Sequence, residues 1–157
     1  MKKAKAAKAI LEIRQITPAE TIPLRHAVLR PGRVVEEARF PGDNNSTTAH
    51  FGAFKDGELL CVASLFRIEF PDEPGVTAFQ LRGMATAPEA RGIGLGTAMV
   101  QACIKFGRDK KTGLLWCNAR TSAAEFYRKL GFEVVGKEFA IPDVGPHFRM
   151  RFALNSD

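Results

Sequence analysis

From residue 95 to 106 the apolar positions Leu95, Ala98, Met99, Ala102, Cys103 and Phe106 recur at i, i+3, i+4, i+7, i+8 and i+11. That is one stripe at helical period, so a helix laid against a sheet is expected, with Gly107 as its C-cap. Residues 10–16 alternate apolar and polar and predict a first strand. Thr17-Pro18-Ala19-Glu20 then supplies an N-cap, a proline at the first helical position and an acidic first turn. The helix should bury Leu24, Ala27 and Val28 and stop at Arg30-Pro31-Gly32. Residues 34–38 read as a short helix or turn, and residues 40–45 as an exposed loop by composition.

Residues 50–54 and 59–68 predict antiparallel strands around the Asp56-Gly57 hairpin signal, and a strand over 76–86 follows a turn at residues 71–75. Beyond the long helix, residues 114–117 predict a short buried strand. Residues 121–130 predict a helix with Ala123, Phe126, Tyr127 and Leu130 on one face and Ser122-x-x-Glu125 as a capping box. Residues 132–135, a loop around 142–146, and residues 148–154 complete a mixed sheet. No repeat or linker divides the chain, so residues 1–157 read as a single α/β domain with 1–9 as a flexible basic extension.

Composition adds limits. The chain is 45% hydrophobic and 25% charged, an ordinary globular balance, and no apolar run approaches the roughly 18 residues of a membrane helix. The lysine-rich start is followed at once by Glu12 and Arg14, which leaves no apolar core for a signal peptide. Cys61, Cys103 and Cys117 lie within predicted elements without metal-type spacing, so buried reduced thiols, a cytoplasmic setting and no metal are expected. The net charge of +6 raises nucleic acid as a partner. The basic residues are scattered, however, and no aromatic residues interleave with them, so no specific nucleic-acid site is expected. A positive field equally suits an anionic coenzyme.

The candidate chemistry lies where the strand over 76–86 meets the long helix. Arg91-Gly92-Ile93-Gly94-Leu95-Gly96 places glycine at alternate positions, allowing a sharp turn that gathers main-chain N–H groups at a helix N-terminus. Unpaired donors and the helix dipole make this a phosphate cradle. It is not a P-loop, since Gly96 is followed by Thr97-Ala98 and no Lys, and G-x-G-x-G is not the dinucleotide fingerprint.

The loop Arg91-Gly92-Ile93-Gly94-Leu95-Gly96, preceded by Met84-Ala85-Thr86-Ala87-Pro88, resembles the R/Q-x-x-G-x-G/A loop of the GNAT superfamily of N-acetyltransferases. A second block, running from Asn118 through Tyr127 to Gly131-Phe132, is similar to that family's late helix and following strand. The resemblance implies the GNAT fold, a mixed and mostly antiparallel central sheet of about six or seven strands flanked by helices, with a splayed central parallel pair. It implies direct acetyl transfer from acetyl-CoA, as co-substrate, to the primary amine of a small acceptor. Met84, Ala85 and Thr86 would pair with pantetheine through main-chain groups. Arg91, Gly92, Ile93, Gly94, Leu95, Gly96 and Thr97 would hold the diphosphate. Asn118 would bond the coenzyme or merely cap a turn. Gly83 would mark a strand bulge or simply be tolerated there.

Tyr127, the only tyrosine, is the candidate proton donor to the leaving thiolate, with a plain core-edge position as the alternative. The family often carries a Glu on the central strand, whereas this chain offers Gln80 and Arg82. His147 is therefore the first candidate for base or substrate contact, followed by His26, His50 and Glu69. The acceptor pocket is expected between the first helices and the 40–50 loop, with Arg25, His26, Arg30, His50, Gln80 and Arg82 as contacts. Arg25, Arg30, Arg33 and Arg39 fit either an anionic acceptor or a solvated basic face. The rivals are another acyl-CoA donor, a protein amino group as acceptor, a catalytically silent acyl-CoA sensor and a basic nucleic-acid-associated module. A homodimer is compatible with all of these.

Overall fold

A computed structural model describes residues 11–154, so the lysine-rich start lies outside the described residues. Seven strands form one sheet: β1 (Leu11–Ile16), β2 (Ala49–Lys55), β3 (Glu58–Phe66), β4 (Ala78–Thr86), β5 (Leu114–Arg120), β6 (Glu133–Ile141) and β7 (Gly145–Ala153). Their spatial order is β1-β2-β3-β4-β5-β7-β6, and every neighbouring pair is antiparallel except β4 and β5. Three helices cover it: α1 (Pro18–Leu24), α2 (Leu95–Asp109) and α3 (Ala124–Lys129).

Strand alternation sorts side chains onto two faces. One face carries Phe79, Leu81, Leu115, Cys117 and Ala119 against Leu95, Met99 and Cys103 of α2 and Ala124 and Tyr127 of α3. The other carries Val62 and Ala85 beneath Leu24, Val28 and Leu29, and Ala78, Leu114 and Trp116 around Phe70. α1 begins with a capping box in which Glu20 N–H bonds the Thr17 hydroxyl and the Glu20 carboxylate accepts from Thr17 N–H at 2.9 Å. Pro23, inside the helix, has no N–H to give, and the chain widens directly afterwards into a π turn at Arg25–Leu29.

Several expectations need correction. Gly107 is not a C-cap: it sits inside α2 and is buried, and a Cβ there would meet Leu154 Cδ1 at 2.7 Å, so its role is close packing. Ser122 and Glu125 form no capping box, because residues 121–123 make a 3₁₀ turn and Ala123 is the uncapped N-cap of α3. β6 and β7 run longer than expected, since the supposed loop around 142–146 is a tight hairpin turn with Asp143 at φ 63°, and β5 continues to Arg120 because it pairs with β7 along its whole length. The 40–45 loop is not uniformly exposed, for Asp43 is buried.

The feature that positions the site is the parting of β4 from β5. Parallel pairing covers only Ala78 with Leu114, Phe79 with Leu115 and Gln80 with Trp116. Both strands continue, to Thr86 and Arg120, without pairing to each other. A bulge contributes: on β3 the step from Ser64 to Val62 spans Arg82 to Ala85 on β4. Gly83 inside that bulge has φ +67°, and a Cβ would lie 3.0 Å from both Arg25 Nε and the Phe40 ring. Gly83 thus serves both as the bulge residue and as a close approach, and the splay expected of the central pair is present.

Candidate active site

Where the two strands part, a cleft of about 520 Å³ opens between the loop before α2, α3, the π turn and the β6–β7 end. Of the residues singled out from sequence, it brings together Arg30, Gln80, Arg82, Met84, Arg91, Asn118, Tyr127 and His147. The parity of the strands divides these. Tyr127 packs on the α2/α3 face with Cys117. Gln80 and Arg82 of β4, and Asn118 and Arg120 of β5, alternate with core residues of that face and so point to the opposite one, as does His147, paired with Arg120.

The loop before α2 has the form of an anion cradle. Gly92 and Gly94 adopt φ +82° and +87°, and a Cβ on either would meet nothing within 4 Å, so the main chain faces open space. Gly94 is the N-cap of α2 and no side chain caps the helix, which leaves the first-turn N–H groups free of any such partner. A Cβ at Gly96 would meet the Phe126 ring at 3.3 Å, so this glycine instead lets α3 approach. Ile93 is exposed, whereas Leu95 anchors the helix in the core. Thr97 is half-buried in the first turn of α2. Ala85 is buried on the α1 side, and the Thr86 hydroxyl donates to Cys61 Sγ at 3.3 Å, so a ligand would reach both through main-chain atoms only.

Tyr127 is 7% exposed, and no described residue accepts from or donates to its hydroxyl. Burial, reinforced by the nearby thiols of Cys117, Cys103 and Cys61, raises its pKa well above 10. Cys117, also lining the cleft, is pushed up to about 12 by burial. His147 is 4% exposed, and its Nδ1–H donates to the Gly145 carbonyl at 2.7 Å, leaving Nε2 with its lone pair and no described partner. Asn118 Oδ1 is buried without any hydrogen-bond donor. An orphaned acceptor and an unemployed imidazole nitrogen in one cleft are what a site kept for a ligand looks like.

Three expected acceptor contacts are not brought to the cleft. Arg25 is fully buried: Nη1 and Nη2 donate to the two Asp43 carboxylate oxygens at 2.8 and 3.1 Å, Nη1 to the Ala38 carbonyl and Nη2 to Ser64 Oγ. His50, 3% exposed, lies between Ser64 Oγ and the Asp43 carbonyl, both ring nitrogens occupied. His26 Nε2 is taken by the Arg33 carbonyl on the surface. Glu69, the last candidate base, accepts from Gly75 N–H in an exposed turn. Phe40, from the loop expected at the acceptor pocket, does line the cleft, whereas sequence reasoning missed Arg120, Phe126, Ile141 and Val144 as site residues. Arg120 was findable, since it shares the alternation of Asn118.

Among the described residues no cluster of His, Cys, Asp or Glu is placed to hold a metal ion, and no helix is long and apolar enough to cross a membrane. A model of the acetyltransferase (GNAT) family matches residues 13–132. The chain is 32% identical over 147 residues to an uncharacterised N-acetyltransferase, YitI, of Bacillus subtilis (strain 168), covering 94% of this chain and 99% of that protein. Among solved structures, a putative N-acetyltransferase from Lactobacillus plantarum superposes with a TM-score of 0.74 at 16% identity, covering 92% and 99% of the two chains. An aminoglycoside 6'-N-acetyltransferase complexed with coenzyme A gives 0.72 at 16% identity, covering 93% and 98%. With its parted β4–β5 pair, its open glycine cradle and a family match spanning most of its length, this chain belongs to the GNAT family of acetyltransferases.

Proposed function

We propose that the protein transfers the acetyl group of acetyl-CoA directly to the primary amine of a small molecule within a ternary complex. The observation that carries this is the unpaired stretch of β4 and β5 beside a helix start that no side chain caps. The residues fit the coenzyme: the main-chain N–H groups of residues 92–97 and Arg91 receive the diphosphate. The free edge of β4 at Met84, Ala85 and Thr86 offers main-chain groups to the amides of pantetheine. Acetyl-CoA supplies an activated thioester. A main-chain N–H near Met84 stabilises the charge that develops on the carbonyl oxygen.

Tyr127 then donates its proton to the departing thiolate. A phenol held above pKa 10 would be a poor acid toward a thiol in water, but the burial that raises Tyr127 and the neighbouring Cys117 would also make a coenzyme thiolate held there a stronger base. Burial acting on both partners lessens the mismatch between acid and leaving group. On the other face, His147 Nε2 takes the proton from the attacking amine, directly or through water. Asn118 Oδ1, on the same face as His147, accepts from an amide of the coenzyme or from the acceptor's N–H. Gln80, Arg82 and Arg30 contact the acceptor. The buried, unbridged thiols of Cys61, Cys103 and Cys117 suit a reducing cytoplasm.

The test is thiol release from acetyl-CoA across a panel of amines, comparing wild type with Tyr127→Phe. Turnover that collapses in the variant, with the thermal stabilisation by acetyl-CoA retained, supports the mechanism. The lack of any Asp or Glu in the cleft favours a second reading, a non-catalytic acyl-CoA sensor. Stabilisation by acetyl-CoA without turnover on any amine would establish that reading instead.

A further inference from the structure

We propose that the amine acceptor carries a compact oxyanion, a carboxylate or a phosphate, which Arg82, Arg30 and Arg120 hold on the face of the sheet opposite Tyr127. This rests on the acetyltransferase reading above and names the class of molecule that enters from that side.

The charged residues lining the cleft are Arg30, Arg82, Arg91, Arg120 and, when protonated, His147; no Asp or Glu lines it. Three guanidinium groups converge on one ring, with Cζ of Arg25, Arg82 and Arg30 at 4.0, 4.9 and 6.0 Å from the centre of Phe40. Arg82 also lies 5.2 Å from the Phe66 ring. The carboxylate within this group is Asp43, and both its oxygens already accept from Arg25, one of them also from Phe40 N–H at 2.9 Å. Arg82 has no hydrogen-bonding or ion-pair partner among the described residues. Arg30 donates only to the adjacent Leu29 carbonyl. Burial, with the charges of Arg25 and Arg30 outweighing that of Asp43, lowers the pKa of Arg82 from its usual value.

This chain pairs its other sheet arginines. On β7, Arg149 faces Asp72 at 3.6 Å, and Arg151 bonds Glu73 at 2.7 Å together with Glu133. The cleft arginines are left without such partners on a surface that has given up part of its water. A planar fork in that condition regains most from an oxyanion bound through paired N–H···O contacts. The same field repels polycationic acceptors from the mouth.

The field has a chemical consequence. Positive charge near an ammonium group favours its neutral form and lowers its pKa. An acceptor anchored by its oxyanion beside Arg82 would therefore present more free amine near neutrality, which lessens the demand on a base. That accounts for Gln80 and Arg82 standing on β4 where related chains often place a carboxylate.

The deciding measurement is the rate of thiol release from acetyl-CoA with matched pairs: free L-amino acids against their amides, and O-phosphoethanolamine against ethanolamine. The anionic member of a productive pair is expected to show at least tenfold higher kcat/KM, and the pair that responds distinguishes carboxylate from phosphate. Arg82→Gln is expected to raise KM for that acceptor at least tenfold, and the exposed Arg120→Gln, which carries little folding risk, at least threefold. KM for acetyl-CoA should stay within twofold in both. Equal or better use of the uncharged partners, or unchanged acceptor KM in both folded variants, overturns the proposal. If no amine in the panel turns over, thermal shifts with N-acetylated amino acids and their amides in the presence of CoA decide. Stabilisation by the acids alone, lost in Arg82→Gln, upholds it, and no stabilisation by any acid overturns it. Failure of the underlying acetyltransferase reading looks different: acetyl-CoA then gives wild type neither a thermal shift nor turnover.

Discussion

Two polar clusters lie on the α1 side of this sheet, and they differ in one respect. In the first, the groups bond one another and only Arg25 Nε is left buried without an acceptor: Arg25 donates to Asp43 and Ser64 through its Nη atoms, the Ser64 hydroxyl donates to His50 Nδ1, and His50 Nε2–H donates to the Asp43 carbonyl. In the second, Asn118 Oδ1, His147 Nε2 and the Arg82 guanidinium have no described partner. His50 and His147 are almost equally buried, at 3% and 4% exposure, so burial does not separate them. The count of satisfied atoms does. A largely closed network holds the π turn and the 40–50 loop in place, whereas His147 Nε2 at similar depth, with the half-buried Asn118 and Arg82 beside it in the cleft, is kept open for something that arrives.

The largest effect should come from opening the closed cluster. Asp43→Ala leaves a guanidinium with fully buried side chain without its carboxylate, a change that costs about 3–5 kcal/mol in buried pairs. For a chain of 157 residues that is a fall in Tm of roughly 10 °C or more, measurable by calorimetry. A Tm within about 2 °C of wild type would mean that the cluster is not what holds this corner.

Next in size is Tyr127→Phe, which removes a hydroxyl that no described residue uses. It should lower kcat by about 100-fold, the lower range for a lost general acid, with Tm nearly unchanged. The contrast between the clusters is sharpened by matched histidine variants. His147→Ala should lower kcat at saturating acetyl-CoA at least tenfold, with a smaller loss of stability than at His50, since it gives up one hydrogen bond, to the Gly145 carbonyl, rather than two. His50→Ala should do the reverse, losing about 1–3 kcal/mol of stability by orphaning Ser64 and the Asp43 carbonyl while kcat holds. If the two variants behave alike in both assays, the distinction between closed and open networks fails.

The smallest effects are those of pH. Burial alone would raise the Asp43 carboxyl, but hydrogen bonds from Arg25 and Phe40 and the charges of Arg25 and His50 bring it net below its ordinary value. Its contribution to stability is therefore fully present above about pH 4 and is lost as pH falls through the lowered folded value. Acid unfolding of Asp43→Asn should show a shallower loss in that window than wild type. Tyr127, raised well above 10, keeps its proton throughout the working range, so kcat should show no alkaline loss below about pH 10. A basic limb near pH 8 or 9 in wild type, absent in Tyr127→Phe, would contradict that placement.

The sequence by itself determined what local spacing can encode. The period of Leu95, Met99 and Cys103 specified α2, and alternating glycines before it specified an open cradle, because φ values of +82° and +87° admit little else. Gly83 left a bulge and a merely tolerated glycine both open, and its φ of +67° in the structure decided for the bulge. What only the tertiary structure decided are relations between distant segments. Gly107 reads locally as a helix stop and is instead the seat of Leu154, and Arg25 reads as a surface cation until Asp43, in a different loop, closes on it. Likewise no local pattern tells His147 from His50, since what separates them is which of their nitrogens the rest of the chain happens to reach. Spacing along a chain fixes backbone shape, while satisfied and unsatisfied valences are set by contacts between remote residues, and it is those that turn a cleft into a site.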